Sequence, residues 1–334
     1  MTRAVVAFPG RGSYGPASLG SLPSGHPWVR RADELRAEAG LPPLSDVDAA
    51  GRYTPAIHLR AANAWPLTFL VGLLDAERIA GDHEVVVVVA SSIGWYTALA
   101  ASGALDFDDT FRLVQQMALA AEEPLDDDAT PAEFVYPLIN DAWEPDADRA
   151  GLVDAALAAT GEGAARSLEL GSHRVIAGTR DAVERVSNAL PPVTVGGRTY
   201  PLRLAGADAW HTPHRATSAA GAAARLGQLA WQRPNVTIVD GRGVRFTPWS
   251  SDPARLAQQS LVGHAEAPYD FARAFRVALR EYAPDVVLLP GPGATLAIAC
   301  AQLVVAEGYR GIRSRIELEA VQDGPAPILL SMRR

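Results

Sequence analysis

Glu84-Val-Val-Val-Val-Val-Ala90-Ser91-Ser92-Ile93-Gly94-Trp95 is the stretch that decides how this chain folds. Five consecutive valines favour extended backbone, and a run with no polar alternation suits a strand buried on both faces. The following Tyr96-Thr-Ala-Leu-Ala-Ala-Ser-Gly-Ala-Leu105 reads as a helix rich in small residues. A serine at such a strand-to-helix turn has the nucleophile-elbow arrangement. The sharp turn exposes its hydroxyl, and the helix N-terminus directs backbone N–H groups at any oxyanion formed there. Gly94 supplies the small residue that the turn needs two places on. Ala90 stands where G-x-S-x-G has its first glycine, so the pattern is matched in part.

Around this centre the chain alternates strands and helices, as an α/β sheet requires. Met1 to Phe8 reads as a first strand, broken by Pro9-Gly10 too early for a signal peptide. After the acidic, proline-containing link Glu122 to Asp128 the texture changes. Phe134–Ile139 reads as a strand, Ala147–Thr160 as a helix, Ser167–Leu170 and Arg174–Ala177 as strands, Arg180–Leu190 as a helix and Tyr200–Leu204 as a strand. That β-α-β-β-α-β order predicts a small ferredoxin-like insert. Val236–Val239, a helix over Pro268–Glu281 and a strand over Asp285–Leu289 then continue the core. The expected division is a core over 1–128 and 205–334 with a subdomain over 129–204.

Composition narrows the chemistry. The 334 residues are 48% hydrophobic and 20% charged, as in a globular protein. No apolar run reaches the length needed to span a membrane, so no membrane partner is expected. There is no lysine among the 30 basic residues, which excludes Schiff-base chemistry and a P-loop lysine. The net charge of −8 argues against general affinity for nucleic acid. The single cysteine, Cys300, lies in an apolar run, reads as buried, and fits a reducing cytoplasm, the expected location. Scattered histidines and no paired-cysteine or H-E-x-x-H spacing give no support for a metal, and lone Gly-x-Gly pairs are not a dinucleotide fingerprint.

Four motifs in order carry a resemblance. Ala90 to Val114 resembles the nucleophile segment, GHSLGEYTALAAAGALSFEDALRLV, of malonyl-CoA:acyl-carrier-protein transacylases and polyketide-synthase acyltransferase domains. Phe8-Pro-Gly-Arg-Gly-Ser13 is similar to their FPGQGS. Ala209-Trp-His-Thr-Pro213 is similar to A-F-H-T/S-P, and Leu289-Pro-Gly-Pro-Gly293 to the late GPG turn. The resemblance implies an α/β-hydrolase-like parallel-sheet core with a ferredoxin-like α+β insert, in agreement with the reading above. It implies a Ser92 nucleophile, a His211 base and an oxyanion hole from the backbone amides of Ile93 and Arg11. The partners implied are acyl carrier proteins and acyl-CoA or acyl-carrier-protein donors. The resemblance implies no bound cofactor, with phosphopantetheine arriving on the substrates.

His211 also follows a predicted strand at a domain junction. His26, His58, His83 and His264 read as surface residues, His173 as part of the insert, and His214 as the rival if the register is off. The resemblance implies a backbone carbonyl as the usual partner of the catalytic histidine, from a segment matching Ala267-Pro-Tyr-Asp-Phe271. Asp270 there is either a carboxylate partner of His211 or a helix cap or surface residue. The Arg11 side chain would meet a phosphate of the carrier arm or point into solvent. Arg30, Arg31 and Arg36 are either a patch for an acidic carrier protein or a solvated helix face.

The departures bear on the substrate. The malonyl-binding arginine of R-L-V-x-x-R is replaced by Met117 in Arg112-Leu-Val-Gln-Gln-Met117. Losing a bidentate carboxylate partner makes burial of a malonyl group costly. Trp65, Trp95 and Trp210 replace smaller or polar residues of the family pattern and suggest, with Met117, a reshaped apolar acyl site. The expected activity is transfer of a non-carboxylated acyl group between phosphopantetheine thioesters through an acyl-serine, in polyketide or related biosynthesis. The alternatives are an editing acyl-carrier-protein thioesterase using the same Ser-His pair and a non-catalytic binding partner.

Overall fold

The computed structural model describes residues 1–79, 81 and 83–333. Its larger sheet is built on β1 (Thr2–Phe8) and β2 (His83–Ala90), which run parallel and pair from Thr2↔His83 to Phe8↔Ala90, with a one-residue register shift between Ala4 and Val5. The valine run is β2, and alternate residues along these strands feed two separate cores. Val6, Phe8, Val88 and Ala90 face one; Val5, Ala7, Val87 and Val89 face the other. Burial on both faces therefore accounts for the lack of polar alternation.

A second sheet arises between the halves of the core. Its strands are β3 (Pro131–Pro137), β4 (Ala164–Glu169) and β5 (His173–Thr179). A small hairpin, β6 (Val193–Val195) and β7 (Arg198–Tyr200), precedes β8 (Leu202–Arg203). Helices Ala147–Thr160 and Arg180–Ala189 complete the β-α-β-β-α-β order expected from sequence. The chain then supplies β9 (Ile238–Val239), β10 (Arg245–Phe246), β11 (Tyr269–Asp270), β12 (Val286–Leu289) and β13 (Leu329–Ser331).

The larger sheet has the order β10-β9-β2-β1-β12-β13, parallel except for β10. The smaller has the order β11-β4-β5-β3-β8. The fold is thus an α/β-hydrolase-like core carrying a ferredoxin-like insert. Two features differ from the sequence expectation. The start of the expected helix over Pro268–Glu281 is β11, which pairs with β4 through Tyr269↔Leu168 and Asp270↔Glu169; the helix itself runs Phe271–Tyr282. The strand Leu329–Ser331 had no recognisable signal, being three residues long with only its first buried. Among the described residues no helix is long and apolar enough to cross a membrane.

The elbow is enforced by contact between the two central strands. Ser92 sits at φ 51°, a conformation that non-glycine residues seldom adopt. The helix Gly94–Ala101 begins directly against the end of β1. A Cβ on Gly94 would lie 2.6 Å from the Pro9 carbonyl oxygen and 2.7 Å from that of Phe8. Both obstacles are backbone, so neither moves cheaply. Gly94→Ala is expected to destabilise the fold by roughly 1–3 kcal/mol, the range for overpacking, measured by urea unfolding. An unchanged midpoint would show that the helix start is not confined as described.

Candidate active site

The two residues that the resemblance paired are brought together. Ser92 Oγ lies 2.8 Å from His211 Nε2, and both side chains are buried. His211 Nδ1 donates to the backbone carbonyl of His264 at 2.5 Å. That bond leaves Nε2 as the unprotonated nitrogen facing the hydroxyl, the tautomer a base requires. Burial holds the His211 imidazole down at about 4, only partly offset by the His264 carbonyl and Glu133. The ring is therefore neutral at neutral pH.

The loop carrying His211 is held from several sides. Ala209 and His211 have φ of 54° and 61°, so the loop is strained and needs outside support. Glu133 on β3 accepts the amides of Asp208 at 3.1 Å and Ala209 at 2.8 Å. Ser167 on β4 donates to the Trp210 carbonyl at 2.8 Å. The fully buried Arg215 donates to Asp208 O at 2.5 Å and to Ala121 O and Glu123 O at 2.9 and 2.7 Å. Tyr269 on β11 reaches back to Ala90 O at 2.9 Å, joining the insert's sheet to the foot of the elbow. The histidine loop is thus held by the insert's Glu133 and Ser167 together with the core's Arg215 and His264, while the core alone positions the serine.

A cavity of about 280 Å³ opens beside the pair. Gly10, Arg11, Ser91, Ser92, Trp210 and His211 form its reactive end. Val135, Leu168, Leu170 and Val175 from the insert face Leu296 and Ala299 from the helix Thr295–Ala306. Among the described residues, the amides of Ile93 and Arg11 make no backbone hydrogen bond outside the helices and strands.

Several sequence expectations are corrected. Asp270 does not orient His211: the His264 carbonyl occupies that place, and Asp270 caps the helix Phe271–Tyr282 by accepting from Arg273 N at 2.8 Å. Met117 and Trp65 are fully buried in the core and do not line the cavity; Trp65 backs Trp210 edge-on at 5.1 Å. Trp95 turns away, donating to Ser260 Oγ at 2.9 Å. Of the three tryptophans only Trp210 lines the cavity. His58 and His264 are buried, not superficial. Arg36 is buried against Pro42, Ala62, Asn63 and Gln115, and Arg31 is paired with Asp108, so neither forms a free basic patch.

The Arg11 side chain takes neither role expected for it. It is bound to Glu133, Asp208 and the Gly206 carbonyl. Glu133 and Asp208 were missed from sequence. The one available signal was Glu133 in β3, an acidic residue amid Phe134, Val135 and Tyr136. In a strand it must share a face with Val135, opposite Phe134 and Tyr136.

Fold and site together define an α/β-hydrolase-like protein with a serine–histidine pair at a nucleophile elbow. No family profile matches the chain. The malonyl CoA-acyl carrier protein transacylase of Escherichia coli strain K12 is 26% identical over 257 residues, covering 73% of this chain and 76% of that protein. An acyl-carrier-protein S-malonyltransferase structure from Burkholderia pseudomallei superposes with a TM-score of 0.72 at 23% identity, over 91% of this chain and 93% of that one. A malonyl-transacylase in complex with a type II polyketide-synthase acyl-carrier protein matches with a TM-score of 0.71 at 20% identity, over 91% and 93%. Over most of its length the chain is thus similar to malonyl-CoA:acyl-carrier-protein transacylases, in sequence at 26% identity and in fold.

Two outcomes test the site. Acylation of Ser92 is expected to hold its rate from pH 8 down to about 5.5 and to fall with a midpoint near the His211 value of about 4, because protonation removes the base. A midpoint near 6.5 would mean the ring is not buried during reaction. Asp270→Ala is expected to cost about 1 kcal/mol through the lost cap and to leave that pH profile in place; a shifted profile would restore Asp270 as the partner of His211.

Proposed function

We propose that the chain is an acyltransferase that moves a non-carboxylated acyl group between phosphopantetheine thioesters, carried by acyl carrier protein or CoA. The observation that carries this reading is the 2.8 Å Ser92–His211 contact at the elbow. Ser92 Oγ attacks the thioester carbon while His211 Nε2 takes its proton. The amides of Ile93 and Arg11 receive the oxyanion. The C–S bond then breaks, and the imidazolium returns the proton to the leaving thiolate. A second phosphopantetheine thiol reverses the steps and carries the acyl group away. The relatives named above act on malonyl thioesters and acyl carrier protein. Their names support the carrier-protein partner, and the complex with a polyketide carrier supports a biosynthetic setting of that kind.

The acyl group proposed here differs from theirs. Met117 fills its position with a fully buried thioether, and Arg11 is already committed to two carboxylates. No guanidinium of the cavity lining is left for a substrate carboxylate.

Intact-protein mass spectrometry after incubation with a panel of acyl thioesters checks the reading. A Ser92 adduct from a neutral acyl donor is expected, moving to fresh carrier protein on its addition, and Ser92→Ala should form none. Free acid with no lasting adduct would make water the acceptor and the protein an editing thioesterase. An adduct from malonyl thioester as abundant as from neutral donors would overturn the proposed selectivity.

A further inference from the structure

The cavity beside Ser92 holds more buried negative charge than its surroundings neutralise. Glu133, Asp208 and Arg11 all line it, two carboxylates against one guanidinium. Glu133 and Asp208 are each about 3% exposed. Arg11 is fully used: Nη1 donates to Gly206 O, Nη2 to Glu133, and Nε lies 3.3 Å from Asp208 Oδ2. Glu133 is also satisfied, with Oε1 taking two backbone amides and Oε2 the guanidinium.

Asp208 is not satisfied. Its Oδ1 accepts from Trp210 N at 2.9 Å, but Oδ2 is buried and has no hydrogen-bond partner among the described residues. The Arg11 Nε contact brings the charges near without bonding geometry. A buried carboxylate oxygen left unbonded is costly, and so is an unpaired buried charge. Burial also raises the Glu133 carboxyl above the usual carboxylate range despite Arg11 beside it. Asp208 contributes to that rise, so the excess charge is relieved either by a proton on Glu133 or by a cationic ligand.

We propose that the acyl group handled here carries a protonated amine, received by the Asp208 carboxylate. The inference rests on the acyltransferase reading above and names its substrate class: aminoacyl thioesters. An ammonium has the complementary charge and three donors, and its bond to a carboxylate is of the strong, charge-assisted kind. The apolar side chains Val135, Leu168, Leu170, Val175, Leu204 and Leu296 suit the carbon chain. A carboxylated acyl group would instead meet like charge. In the transfer, the bond from Ser92 Oγ to the acyl carbon forms, the C–S bond breaks, and the thiol leaves protonated. The amine keeps its proton throughout.

The test is the rate of Ser92 acylation by matched thioesters on one carrier. Glycyl and β-alanyl groups are each compared with their N-acetyl forms and with neutral acyl groups of similar size. At least one amine-bearing donor is expected to load tenfold or more faster than its N-acetyl form. In Asp208→Asn that ratio is expected to fall toward one. Equal or slower loading of every amine in the native protein overturns the inference, whatever the variant does, and so does an advantage that survives in Asp208→Asn. Loading by neutral acyl groups without preference would leave the acyltransferase reading standing, whereas no loading from any thioester would remove both.

Discussion

The site depends on one close approach, that of the helix start at Gly94 to the carbonyl ends of β1. Because nothing larger than a hydrogen fits there, the chain leaving β2 must turn sharply at Ser92 and hold it at positive φ. The same geometry frees the Ile93 amide and sets Oγ toward His211. Gly10 makes the matching contact from the β1 side, where a Cβ would meet Ser91 O at 2.8 Å. The serine, the loop amide of Arg11 and the helix dipole are thereby fixed relative to one another by backbone alone. Such preorganisation costs nothing at the moment of reaction.

The histidine is placed by a different set of forces. Its loop is strained at two residues and is tied down by Glu133, Ser167 and Arg215. Glu133 and Ser167 come from the insert, and Arg215 clamps the loop to the end of the helix Phe107–Glu122. The base's loop is therefore held jointly by the insert and the core, and the bond between serine and base spans 119 positions of sequence. This division explains why the insert's strands must pack closely on the core through β11 and Tyr269.

Legibility in the sequence followed this division. The valine strand, the elbow and the β-α-β-β-α-β insert were readable because local periodicity and turn chemistry fix them. His211 was readable through motif resemblance and its place after a predicted strand at a domain junction. Its backbone-carbonyl partner has no side-chain signature, so Asp270 was a natural candidate, although its real task is to cap a helix. The tryptophans misled for a related reason. A motif position gives proximity to the elbow, not direction: Trp95 follows Gly94 on the helix yet points to Ser260. Glu133 and Asp208 were invisible because the cluster exists only when β3, the FPGRGS loop and the His211 loop meet.

That cluster changes how the loss of the malonyl-binding arginine is understood. A cavity that merely lost a cation would be neutral and apolar, and it would accept short acyl chains with little discrimination, since one methylene in an apolar pocket is worth only about 1–3 kcal/mol. Here a guanidinium is present, but it is turned inward and overbalanced by two carboxylates. The cluster therefore offers carboxylate oxygens and no free cation, unlike a site built for a carboxylate. Glu133 cannot be given up freely, since it also holds the histidine loop, and Arg11 is the counter-ion that lets Glu133 be buried at all. Once Glu133 and Arg11 are locked together for structural reasons, Asp208 is the group left to discriminate among substrates. It lines the cavity that the proposed acyl chain would enter, and one of its carboxylate oxygens has no hydrogen-bond partner among the described residues.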